Sequence, residues 1–92
     1  MLILEMSALD LPEMKSKIVT TFGVTLKSLR KNVRLSQEKL ARQSHLNRTF
    51  VSLIERGERQ PTLTTLYKLS RPLKVTVPEM IILLDNQLRR RS

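Results

Sequence analysis

The feature that most constrains this chain is a break between two short helical stretches. Ser36 is placed to cap a helix over residues 37–44, and Asn47 to cap another from Arg48 to about Arg56, which Gly57 closes. Only His45-Leu46-Asn47 separates them. His45 falls where the backbone must turn left-handed, a conformation that His tolerates better than most residues. Two helices this short cannot bury their apolar sides against each other alone, so they need longer neighbours.

The neighbours are helical too. Apolar residues recur at three and four, and alternation of period two never extends beyond a few residues, so the fold is read as all-α with five helices. Ile18, Phe22, Leu26, Leu29 and Val33 make one stripe on a first helix over residues 15–33, which Gly23 weakens but does not end. Asp10 and Glu13, with Pro12 in the first turn, offer a capping box for an earlier start. Thr62 caps a fourth helix carrying Leu63, Leu66, Leu69 and Leu73. Pro72 lacks the amide that would bond to Lys68, so this helix is expected to end or loosen near Arg71. Thr76 caps a fifth helix, with Pro78 in its first turn and Glu79 completing a capping box.

Composition removes several chemistries. The 92 residues suit one domain, here 15–92, with residues 1–14 as an apolar N-terminal arm. There is no cysteine and one histidine, which excludes disulfides and metal sites of ordinary composition, and no cofactor is expected. Two glycines leave nothing for a phosphate-cradling loop, and three aromatics are too few to stack single-stranded bases. No apolar run is long enough to span a bilayer, and the first residues lack the pattern of a secretory signal, so a cytoplasmic protein is expected. Asp10, Glu13 and Glu38 have no nucleophile or general-base set around them, so an enzyme is not expected. The charge is +9, and it is uneven. Residues 1–14 carry −3, whereas residues 15–92 hold all seventeen bases and five acids, a net +12 that attracts polyanions.

Residues 36–57 therefore read as a helix-turn-helix. The strings Leu35-Ser36-Gln37-Glu38-Lys39-Leu40-Ala41 and Leu46-Asn47-Arg48-Thr49-Phe50-Val51-Ser52-Leu53-Ile54-Glu55-Arg56-Gly57-Glu58-Arg59 carry a resemblance. So do Pro61-Thr62-Leu63 and Val75-Thr76-Val77-Pro78-Glu79-Met80. Across residues 22–84 the chain resembles the lambda-repressor-like (Cro/Xre) DNA-binding family, and more narrowly the controller proteins of restriction–modification systems. The resemblance implies double-stranded DNA as partner and a sequence-specific transcriptional regulator. It also implies a largely buried ion pair between Arg30 and Glu55 that orients the recognition helix.

On a wheel of about 100° per residue with Arg48 at zero, Val51 and Ile54 fall at about 300° and 240° and mark the buried side. Thr49, Ser52, Leu53 and Arg56 face away, beside Arg48. Base readout is assigned to Arg48, Thr49, Phe50, Ser52 and Leu53; Phe50 sits on the border, where core packing competes. Leu53 departs from the family pattern, which carries a polar residue there. Phosphate contacts are assigned to Gln37, Lys39, Arg42, Arg56, Arg59 and Thr62.

The fifth helix and basic tail, residues 76–92, contain Met80, Ile81, Ile82, Leu83, Leu84 and Leu88, more apolar surface than one core needs. A two-fold homodimer through these six residues is expected, with residues 1–14 packing across it or back on their own subunit. Arg89-Arg90-Arg91 reads as a solvated tail or a DNA-backbone contact. The competing function is an antitoxin-type module that binds a protein partner through the arm.

Overall fold

A computed structural model describes residues 11–91. They form α1 Leu11–Asn32, α2 Gln37–Gln43, α3 Arg48–Glu55, α4 Leu63–Leu73 and α5 Val77–Arg91, with no strand among the described residues. Side chains set the starts. Ser36 Oγ accepts the Lys39 amide at 3.0 Å, Asn47 Oδ1 the Thr49 amide at 2.7 Å, and Thr62 Oγ1 the Thr65 amide at 3.1 Å. Thr76 and Glu79 satisfy each other's amides, at 2.7 and 3.1 Å.

The stops share one geometry. Arg34, His45, Gly57 and Lys74 take positive φ after α1, α2, α3 and α4. The next amide then bonds to the carbonyl five residues back: Leu35 to Arg30, Leu46 to Ala41, Glu58 to Leu53, and Val75 to Ser70. This turn satisfies carbonyls that a helix end leaves orphaned.

Three expectations change. α1 starts at Leu11, so residues 11–14 belong to a helix and not to an arm. Pro12 suits a first turn, where no amide partner is needed, and Glu13 suits the positive end of the helix dipole. Residues 1–10, the rest of that arm, lie outside the described residues. Second, α4 continues through Pro72 to Leu73. The missing bond is to the carbonyl of Lys68, an exposed residue, and burial of Leu69 and Leu73 holds the last turn in place. Third, Met80 is fully buried in its own subunit's core and is not available to a dimer face, whereas Leu84 is half-buried and packs in part on that core.

The core is one cluster drawn from all five helices. Phe22, Leu26 and Leu29 of α1 meet Leu40 and Ala41 of α2, Val51 and Ile54 of α3, Leu66, Leu69 and Leu73 of α4, and Val77 and Met80 of α5. α1 is the long spine against which α3 and α5 pack. Gly23 permits that packing. A Cβ there would sit 2.5 Å from the Ile54 carbonyl oxygen and 2.6 Å from that of Glu55. Helix propensity alone makes Gly23→Ala stabilising by about 1 kcal/mol. The contact reverses the sign: the variant should lose about 1–3 kcal/mol in urea denaturation, and a gain in stability would show that α1 and α3 do not approach this closely.

Candidate nucleic-acid interface

α3 has one side in the core and the other in solvent. Val51 and Ile54 are fully buried, Arg48 and Thr49 are exposed, and Ser52 and Leu53 are half-buried. Arg48, Ser52 and Arg56 recur every fourth residue and form one ridge. With Thr49 and Gln37 they line an open hollow of about 280 Å³. Two guanidiniums and two hydroxyls on an exposed helix match the donors and acceptors that base edges present in a major groove.

An ion pair fixes how α3 is presented. Arg30 Nε donates to Glu55 Oε2 at 2.6 Å and Arg30 Nη2 to Oε1 at 3.0 Å, with the two side chains only 11% and 3% exposed. Arg30 Nη1 donates to the Leu35 carbonyl at 2.8 Å, and Gln37 Nε2 donates to Glu55 Oε1 at 3.0 Å. The Arg30–Glu55 pair thus ties together α1, the loop before α2, the first residue of α2 and the end of α3. Among the described residues no buried side-chain nitrogen or oxygen lacks a partner.

The remaining site residues divide. Gln37, assigned to phosphate, donates to Glu55 and still lines the hollow, with one N–H of its amide unused by that bond. Phe50 is half-buried and packs on the core, so core packing is the role its position provides. Leu53 does not join the core cluster. Lys39 and Arg42 are exposed on α2, Thr62 spends its hydroxyl on capping α4, and none of these lines the hollow beside α3. Arg59 lines a different hollow of about 550 Å³ with Lys15, between the start of α1 and the loop after α3.

Sequence reasoning missed three features. Helix propensity marks Gly23 only as a weak helix former, although its place opposite the end of α3 requires a missing Cβ. The bond from Gln37 to Glu55 gave no signal. Nor did the pairing of Glu58 Oε2 with Arg56 Nε at 3.1 Å, because exposed charges two apart form many such pairs. Among the described residues no helix is long and apolar enough to cross a membrane, and no acidic, His or Cys cluster could hold a metal.

A helix-turn-helix family model matches residues 26–80. Control protein C.MunI of Mycoplasma sp is 47% identical over 60 residues, covering 64% of this chain and 81% of the relative. Control protein C.SmaI of Serratia marcescens is 43% identical over 56 residues, covering 61% and 67%. Among solved structures, the restriction-modification controller protein C.AhdI from Aeromonas hydrophila superposes with a TM-score of 0.65 at 39% identity, over 67% of this chain and 94% of that one. The C.Esp1396I tetramer in complex with its natural 35 base-pair operator superposes with a TM-score of 0.72 at 28% identity, over 78% and 95%.

The ion pair and the ridge should separate in stability measurements. Glu55→Ala leaves the Arg30 guanidinium buried without its partner and should cost about 3–5 kcal/mol. Arg48→Ala, on the exposed side, should stay within about 0.5 kcal/mol of the parent. Equal losses in urea denaturation would contradict the division between support and contact.

Proposed function

The chain belongs to the helix-turn-helix family and, within it, to the control proteins, and from that premise we propose how it acts on DNA. It is a DNA-binding regulator of transcription, and its family consists of regulators rather than enzymes. It binds a palindromic operator as a homodimer, in its own promoter region, and controls a restriction–modification operon. The observation that carries this reading is the ridge of Arg48, Ser52 and Arg56 with Thr49, held outward by Val51 and Ile54 behind it. Arg48, at the start of α3, takes a guanine in bidentate fashion; Thr49, Ser52 and Leu53 contact neighbouring base edges. Lys39, Arg42, Arg59 and the start of α4 at Thr62 meet phosphates, which position the domain without selecting sequence.

Dimerisation is assigned to what α5 leaves uncovered. Ile81, Ile82 and Leu83 are exposed, Ile82 by 58%, and Leu88 is half-buried. A two-fold pairing there would set two copies of α3 about 34 Å apart, one turn of DNA. The reading as an antitoxin-type module is not favoured, since the relatives are control proteins.

A fluorescence titration with short duplexes from the chain's own upstream region tests the reading. Arg48→Ala should relax discrimination at one base pair per half-site, by about 1–3 kcal/mol. Lys39→Ala should weaken all duplexes alike and lower the slope against salt by about one. Flat affinity of the parent chain across unrelated duplexes would contradict sequence-specific binding. For the dimer, Ile82→Glu should sediment as a monomer with an unchanged circular dichroism spectrum; a dimer that survives it would move the interface off α5.

A further inference from the structure

The four helix stops differ at one position. In a turn of this kind the residue after the left-handed one is ordinarily apolar and packs back on the last helical turn. Leu35, Leu46 and Val75 do this after α1, α2 and α4: each is half-buried and packed on the core. After α3 the same position holds Glu58, which is exposed. The exception stands at the end of the helix whose outer ridge faces the candidate DNA groove.

Glu58 does not hang on a loose loop. Its amide bonds to the Leu53 carbonyl at 2.9 Å, and that of Gly57 to the Ile54 carbonyl at 3.0 Å. Gly57, at φ +75, lies so close to α1 that a Cβ on it would be 3.0 Å from Thr20 Cα. From this fixed backbone the carboxylate reaches Arg56, Oε2 to Nε, at 3.1 Å. Both side chains are 58% exposed, and a solvated pair of this kind contributes next to nothing to stability. A carboxylate beside a polyanion also weakens binding wherever it is not offset.

We infer that Glu58 is a positioning residue for DNA readout, holding Arg56 by its Nε edge so that the two Nη groups meet the O6 and N7 of a guanine. The inference rests on the proposed DNA-binding reading. It moves Arg56 from phosphate contact to base contact. As DNA docking displaces water from the pair its attraction strengthens, which restrains the guanidinium at one edge while its remaining donors keep the fork that guanine accepts. The same carboxylate repels phosphates when no guanine is in place, so it lowers affinity for unrelated DNA more than for the operator.

The test uses the full chain and a duplex selected by the parent protein from a randomised pool. Dissociation constants are measured at one salt concentration for that duplex, its single-base-pair variants and an unrelated duplex of equal length. Glu58→Gln should bind the unrelated duplex more tightly and lose about ten-fold in the ratio of selected to unrelated affinity. The loss should fall at one base pair per half-site, the same pair that Arg56→Ala relaxes. In an Arg56→Ala background, Glu58→Gln should leave that ratio unchanged. Tightening of both duplexes by one common factor would overturn the inference, leaving Glu58 as a bystander charge. So would an Arg56→Ala loss spread evenly over all duplexes, which marks a phosphate contact. A parent chain that selects no motif overturns the DNA-reading proposal itself, and this inference with it.

Discussion

The carboxylate of Glu55 is where the separate helices become one instrument. Its two oxygens receive three donors from two other helices, Arg30 on α1 and Gln37 at the head of α2. A buried pair of this kind costs about as much in lost solvation as it returns in attraction. Its consequence is therefore geometric. A helix of eight residues has little stability of its own and could rotate in its seat. The pair sets that rotation, and Gly23 sets the depth, because the backbone of α1 touches the last carbonyls of α3 with no side chain between. Presentation of Arg48, Ser52 and Arg56 follows from these two constraints together with the burial of Val51 and Ile54.

Much of this was legible in the residues. Caps at Ser36, Asn47, Thr62 and Thr76 announce four helix starts, because a short polar side chain before an apolar-periodic run has an orphan amide to satisfy. The buried side of α3 was legible because branched aliphatics three apart on so short a helix leave it one way to sit. The Arg30–Glu55 pair came from family resemblance, and the bidentate geometry agrees with it.

What was not legible has a common physical origin: it depends on close approach between distant segments. Periodicity assigns a residue to a face but not to a partner. Hence Met80 read as part of an open apolar patch, whereas α5 docks on α1 and carries it into the core. Hence also Pro72, judged by local backbone rules, sits within a helix whose last turn is held by the burial of Leu73. Net charge is similarly silent on location. Exposed bases occur on all five helices, so the surplus of Lys and Arg selects polyanions but no face. The face is chosen by which helix has a fixed, exposed row of donors.

Backbone amide shifts recorded while a selected operator duplex is added would test that choice most directly. The largest changes should fall on residues 48–53 and the head of α2, with the middle of α1 and the buried Leu66 and Leu69 of α4 nearly still. Changes concentrated on α4 or α5, with residues 48–53 unmoved, would contradict the account.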